Sequence, residues 1–394
     1  MKIAMIGQKA IPSRTGGIEI HVEEISKRIV KKGIGINVYC RKGYCEQVHN
    51  GKYEGINICY TPFIKSKHLD AITHTLTATI HALFSGCDIF HYHALGPSTL
   101  AFLPRLFGRK VICTVHGLDW QRGKWKGFAT KYLKFGEYAT AKFSHKTINV
   151  SQNLVKYYKD KYGLDTQYIP NGVEEPETLN ADIIKTKYGL SKNDYILFLA
   201  RLVPEKGVHY LIEAYKKLKT QKKLVIAGGS SHSNEYEKEL HDMAKGNNNI
   251  IFTGFVSGRE LEELYSNAYI YVLPSDVEGL PISLLEAMSY GKACLVSDIP
   301  QNLEVIQKGK EDRYGFSFRS GNIGSLAKKL DYLLNNPVLL ERMGIEVQNH
   351  VIKEYNWDKI TDETLSIYRQ VLDKKKNKYY HQLNKDKEAA TLKI

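Results

Sequence analysis

Short apolar runs recur along this chain, and amphipathic stretches of helical period fill the gaps between them. In the first half the runs are Ile3 to Gly7, Ile36 to Cys40, Ile56 to Thr61, Asp88 to Tyr92, Val111 to Val115 and Thr147 to Val150. In the second half they are Tyr195 to Ala200, Lys223 to Ala227, Ile250 to Thr253, Tyr269 to Leu273 and Ala293 to Val296. Between them lie segments such as Glu19 to Val30, with Val22, Ile25, Ile29 and Val30 as its apolar positions. This alternation predicts α/β architecture, with parallel sheets covered by helices on both faces. A chain of 394 residues suffices for two domains of this kind. From Ser325 onward the pattern reads as helical.

Ligands of open α/β sheets bind at the carboxyl ends of strands, so the residues that follow each run matter most. After Tyr269 to Leu273 comes Asp276-Val277-Glu278-Gly279-Leu280-Pro281-Ile282-Ser283-Leu284-Leu285-Glu286-Ala287-Met288. Pro281 suits the first position of a helix, where a missing N–H costs nothing. The amides of Ser283, Leu284 and Leu285 are then expected to be free at the positive end of the helix dipole, an anion site. Glu278 and Glu286 bracket that helix start with carboxylates, which accept hydrogen bonds from sugar hydroxyls. Taken alone, the spacing fits equally a buried helix with two incidental glutamates.

Other strand ends carry matching chemistry. Arg201 and Lys206 follow Tyr195 to Leu199 and can face an anion. Gly16 and Gly17 follow the first run and open a helix, where missing side chains let a ligand approach the backbone; a plain turn is the alternative. His116 stands between a strand and a glycine. His91 and His93 end another strand as a tempting zinc pair without further ligands; a structural role, or acceptor contact for His93, is the expectation. Asp119 reads as an acceptor contact or a helix N-cap. The first turn, Met-Ile-Gly-Gln-Lys-Ala, lacks the Gly-x-Gly-x-x-Gly of dinucleotide-dependent dehydrogenases.

As an ordered set, Thr15-Gly16-Gly17-Ile18-Glu19, Val115-His116-Gly117, Ala200 to Gly207 and Asp276 to Met288 resemble the retaining nucleotide-sugar glycosyltransferases of family 4, glycosyl transferases group 1. The resemblance spans roughly residues 1 to 370. It implies a GT-B fold: two Rossmann-like domains with parallel sheets facing across a cleft. The expected division is an acceptor-side domain at 1–172, a nucleotide-sugar domain at 173–356, a helix at 357–373 returning to the first domain, and a basic tail at 374–394. The stretches Gly-Gly-Ile-Glu-Ile-His-Val-Glu-Glu and His-Gly-Leu-Asp-Trp-Gln-Arg-Gly-Lys-Trp look like bacterial polysaccharide enzymes with a rhamnosyltransferase-type first domain.

By that resemblance the Gly16–Gly17 loop meets the donor phosphates, and Gly254-Phe255-Val256 line the nucleotide base. Glu286 holds ribose hydroxyls, Glu278 with the backbone near Gly279 and Leu280 orients the donor sugar, and His116 bonds the transferred sugar. Departure of the diphosphate builds negative charge, which Arg201, Lys206 and the amides after Pro281 would stabilise. The leaving phosphate takes the acceptor proton in such enzymes, so no strong side-chain base is needed. Asp276-Val277-Glu278 is not the metal-binding Asp-x-Asp, so no metal or other cofactor is expected beyond the co-substrate. The competing functions are an epimerase on the same fold and a non-catalytic, membrane-associated nucleotide-sugar-binding subunit; no pyridoxal lysine site of a phosphorylase is found.

Charge bears on the partner. Residues 1–172 hold 25 Lys and Arg against 11 Asp and Glu, and residues 173–394 hold 31 of each, so the net +14 lies in the first half. Such a field attracts an anionic membrane or acceptor; no nucleic-acid motif accompanies it. Trp120, Arg122, Lys124, Trp125 and Lys126 open a basic aromatic stretch running to Phe143, which suits a bilayer surface; a solvated basic face over packed aromatics is the alternative. No run reaches ~18 apolar residues and Met1 to Gly7 reads as a strand, so neither a transmembrane helix nor a signal peptide is expected. The six cysteines (Cys40, Cys45, Cys59, Cys87, Cys113, Cys294) show no paired spacing. These features lead to a cytoplasmic protein, peripheral on the inner face of the membrane, using a lipid-linked saccharide.

Overall fold

The computed structural model describes residues 1–13, 16–44, 51–66, 69–123, 125, 127–229, 234–309 and 311–373. The first half forms β1 Lys2–Ile6, β2 Gly35–Cys40, β3 Lys52–Tyr53, β4 Ile56–Tyr60, β5 Ile89–His93, β6 Lys110–Val115, β7 Lys146–Asn149 and β8 Gln167–Tyr168. They make one sheet in the order β3-β4-β2-β1-β5-β6-β7-β8, parallel except for the β3–β4 edge. The second half forms β9 Tyr195–Leu199, β10 Lys223–Ala227, β11 Ile250–Gly254, β12 Ile270–Leu273, β13 Cys294–Ser297, the small hairpin β14 Gln307–Lys308 with β15 Glu311–Asp312, and β16 Phe316–Phe318. Its sheet runs β11-β10-β9-β12-β13-β16 and is parallel throughout. The fold is α/β with two Rossmann-like domains.

The central strands are apolar on both faces because both faces are covered. Along β1, Ile3 and Met5 pack with Val22 and Ile25 of the helix Gly17–Lys31 and with Trp357 and Tyr368. Ala4 and Ile6 point the other way, toward Ala78, Ala82 and Tyr92. The two-residue period of a strand thus feeds two cores from one run. Strands β3, β8 and β16 are additions to the runs read from sequence. Two or three residues at a sheet edge are too short to show alternation.

The chain crosses between domains at Asn171 to Val173. The Val173 N–H donates to Tyr355 O at 2.7 Å where the chain returns, and Val173 bridges Asn356 in parallel. Asn356 caps the helix Trp357–Leu372 by accepting from the amides of Asp358 (2.8 Å) and Lys359 (3.2 Å). That helix lies on the first domain, where Trp357 and Tyr368 are buried. The tail 374–394 lies outside the described residues, as does Cys45; the other five cysteines are free thiols.

Strand order reverses between β1 and β5 in the first sheet and between β9 and β12 in the second. Crossovers leave the sheet in opposite directions at such a point, which opens a crevice at the strands' carboxyl ends.

Candidate functional site

The two crevices face each other, and their loops touch. Gly279 stands so close to His116 that a methyl group there would overlap the His116 carbonyl oxygen and lie 2.8 Å from its carbon. A methyl on Gly17 would reach Ile282 at 3.4 Å. The carboxyl ends of β1 and β6 therefore meet the loop after β12.

On the second domain's side, β9 leads into Arg201 and a 3-10 turn, Pro204–Lys206, closed by Gly207 at φ +68°. The Asp276 N–H donates to Glu205 O at 2.9 Å and ties that turn to the loop after β12. Lys206 Nζ donates to Glu278 Oε1 at 2.5 Å, with both side chains largely buried. Burial lowers the Lys206 ammonium below its usual range, opposed by Glu278 and reinforced by Arg201 and Arg122. Arg201 is also lowered, first by burial and then by Arg122, against Glu205, Glu19 and Glu278. Burial thus penalises the charge of Arg201 and Lys206, with Arg122 of the other domain within electrostatic reach, and an anion would relieve that penalty.

The helix Ile282–Ser289 starts one residue later than the sequence implies: Pro281 is its N-cap. The amides of Leu284 and Leu285 both donate to Pro281 O, at 3.2 and 3.3 Å. They are not free, which corrects the expectation for Leu284 and Leu285. Helix geometry leaves Ile282 and Ser283 as the open first-turn donors. The side chains of Leu284 and Leu285 are core. Ser283 Oγ accepts from Tyr271 OH at 2.9 Å, and Glu286 Oε2 accepts from Tyr265 OH at 3.0 Å. Gly254 sits at φ +71° beside Gly228 and Gly229; Phe255 stands exposed there, while Val256 is taken by the core.

On the first domain's side four imidazoles cluster. His93 Nδ1 lies 3.2 Å from His116 Nε2, and the His21 ring stands edge-on to His116 with centroids 4.8 Å apart. Asn171 donates its amide N–H to Leu280 O at 2.8 Å, so its carbonyl oxygen accepts from His21 Nδ1 at 3.0 Å. This side chain links the histidine cluster, the interdomain crossing and the loop at Gly279–Pro281. His91 is committed to Tyr368 OH at 2.6 Å and Thr114 Oγ1 at 2.7 Å. It is a structural histidine, which removes the His91–His93 zinc pair. Among the described residues, His21, His93 and His116 could still gather a metal geometrically, with ligand atoms within 4.8 Å.

Sequence reasoning gave no site role to His21, which lies within the Gly-Gly-Ile-Glu-Ile-His stretch, to Asn171, which lies in the Ile-Pro-Asn-Gly-Val turn, or to Tyr265. It also misplaced Arg122, whose charge acts on Arg201 and Lys206 and whose guanidinium pairs with Asp119 at 3.4 Å. Asp119 opens a 3-10 turn with Leu118 as its cap residue, so it is not the N-cap. Trp120 donates to the buried Glu137 at 2.7 Å, and Trp120 and Trp125 pack against the core, so neither tryptophan is a free outward anchor. Lys124 and Lys126 lie outside the described residues, as does Thr15.

Burial holds all four imidazoles neutral: His21 is lowered to about 4, His91 to about 3, and His93 and His116 fall well below the ordinary value. Unfolded, each takes a proton near pH 6.5. The unfolded chain therefore binds more protons between 6.5 and about 4, and stability present above 6.5 is lost as pH falls through that window. Each such group contributes about 1.4 kcal/mol per pH unit inside it. The expected result is a urea midpoint that is flat above pH 7 and falls steeply below 6.5. Tryptophan fluorescence reads it, because Trp120, Trp125 and Trp357 all pack near the first domain or its crossing.

Comparison with known proteins matches both halves. Residues 15–175 match the model described as Glycosyltransferase Family 4, and residues 180–350 match Glycosyl transferases group 1. An uncharacterised glycosyltransferase of Methanocaldococcus jannaschii is 26% identical over 94% of this chain and 98% of its own. The alpha-maltose-1-phosphate synthase of Mycobacterium tuberculosis is 24% identical over 94% and 100%. Among solved structures, sucrose-phosphate synthase from Thermosynechococcus elongatus superposes with a TM-score of 0.80 at 19% identity, covering 94% of this chain and 98% of that one. Anabaena HepE with UDP-glucose gives 0.76 at 18%, covering 93% and 99%.

Proposed function

We propose that this chain, which has the GT-B fold of the group 1 glycosyltransferases, moves a sugar with retention from a nucleoside-diphosphate donor to a lipid-linked saccharide in bacterial cell-surface polysaccharide synthesis. The observation that carries the reading is the meeting of the two switch points, which sets Arg201, Lys206 and an open helix start opposite His116. The diphosphate would lie on the amides of Ile282 and Ser283 with Arg201 and Lys206 beside it. These groups match a leaving group whose charge grows in the transition state, and their preorganisation lets them act without reorienting. Glu286 would take the ribose. Glu278, held by Lys206, and the Gly279–Leu280 backbone would orient the sugar against His116. The neutral state of His116 suits a hydrogen bond to a sugar hydroxyl.

The donor is a hexose or deoxyhexose on UDP or dTDP. The rhamnosyltransferase-like motifs support dTDP-rhamnose, and the HepE structure determined with UDP-glucose supports a UDP-hexose. Cations at the diphosphate can stand in for a metal, so catalysis is expected to survive chelation. The basic first domain supports work at the inner face of the membrane.

A donor panel in EDTA tests this: dTDP-rhamnose, UDP-glucose, UDP-galactose, UDP-N-acetylglucosamine and GDP-mannose, by thermal shift and slow donor hydrolysis. One donor should stabilise the folded chain by mass action and be hydrolysed. A folded protein that ignores every donor would overturn the reading. Donor converted to its epimer without acceptor would move the assignment to an epimerase.

A further inference from the structure

Helices Leu69–Phe84 and Phe102–Leu106 pack side by side over the face of the first sheet opposite the helix Gly17–Lys31. The helix Phe128–Lys142 joins them: Arg105 donates to Phe143 O at 3.1 Å, and the Phe102 and Phe143 rings are 6.0 Å apart. The outer side of this layer is apolar. Leu76, Ile80 and Phe84 recur every fourth residue and are 42%, 44% and 87% exposed. Leu106 and Phe107 follow at 75% and 62%. Single exposed apolar residues are ordinary; a set carried on two adjoining helices marks an interaction face.

The charge around the face selects the partner. The helix Leu69–Phe84 carries one formal charge, Asp70, which Tyr44 OH (2.7 Å) and Arg41 (3.0 Å) engage. Residues 105–110 and 142–146, which flank Phe107 and Phe143, hold five Lys and Arg and no Asp or Glu. Arg105, Lys131, Lys134 and Lys142 are exposed on the same helices. Apolar side chains flanked by cations fit the boundary between acyl chains and anionic headgroups.

We propose that this face docks the protein on an anionic phospholipid bilayer, through Ile80, Phe84, Leu106 and Phe107 rather than through the tryptophan stretch at 120–125. Phe84 ends its helix just before β5 begins at Ile89, and Leu106 and Phe107 stand just before β6 begins at Lys110, so the face lies at the amino edge of the first sheet, away from the cleft.

Sedimentation of the full chain with vesicles tests this, using phosphatidylglycerol mixed with phosphatidylcholine against phosphatidylcholine alone. The chain should pellet with the anionic vesicles and release as salt rises. The double variant Phe84→Asp/Phe107→Asp should partition at least tenfold more weakly, with unchanged melting temperature and donor hydrolysis. Four results would overturn the proposal: no binding to anionic vesicles, equal binding to both kinds, undiminished binding of the double variant (which would point to the basic tail), or a dimer in ultracentrifugation that the double variant dissociates. Docking without activity on any donor would leave this face standing and fail the enzymatic reading alone.

Discussion

Replacing Arg201 by alanine is expected to lower kcat by roughly 10²–10³-fold, the usual cost of removing one preorganised donor at a developing anion. Donor binding should weaken much less, because on the proposed reading the helix start and Lys206 also hold the ground-state diphosphate. A group that matches growing charge shows in turnover more than in affinity. Arg201 is the cleaner site for this test. Lys206 is bonded to Glu278 at 2.5 Å, so its removal also leaves a buried carboxylate unpaired. Measured kcat and donor Kd for Arg201→Ala decide the matter. Equal losses in both would assign Arg201 to simple binding and take it out of transition-state stabilisation.

Gly279→Ala is expected to reduce kcat/KM by about 10²-fold or more while leaving the melting temperature close to wild type. The added methyl has no room: it overlaps the His116 carbonyl oxygen, lies 2.8 Å from the carbon and 3.5 Å from Gly117 Cα. These are backbone atoms, so relief requires the two loops to part. A misplacement near 1 Å at reacting groups costs about 10²-fold. The clash lies between domains, so each domain's core should survive. The donor's nucleotide part, which the proposed reading places on the second domain, should still bind. Full activity in this variant would show that transfer does not need His116 and Gly279 in contact, and would remove His116 from the transferred sugar.

Much of this molecule is legible one segment at a time. Runs such as Ile3 to Gly7 and Tyr195 to Leu199 declare strands, because a strand buried on both faces must be apolar at every position. Arg201, Lys206, Glu278 and Glu286 are readable because each sits within a few residues of a strand end or helix start, and local backbone geometry assigns them one side of the sheet. The boundary of the helix at Pro281 was less legible. A proline suits either the cap or the first position, and the hydrogen bonds of Leu284 and Leu285 to Pro281 O decide it.

Tertiary structure alone decided which distant side chains share the site. Asn171 and Leu280 are 109 residues apart, and His21 and Asn171 are 150 apart. No local pattern encodes contacts that exist only once two sheets face each other. Arg122 reads as one more cation in a basic stretch until the cleft brings it within electrostatic reach of Arg201 and Lys206. Trp120 looks like an interfacial aromatic until Glu137, seventeen residues on, takes its indole N–H. The outward apolar face was hidden for the same reason. Helical period shows which residues share a side of a helix, but whether that side meets a sheet or open space depends on where the other helices lie. Sequence by itself therefore determined the central strands, the fold class and which polar residues stand at the strand ends. The packing of one domain against the other decided which of those ends became a single site.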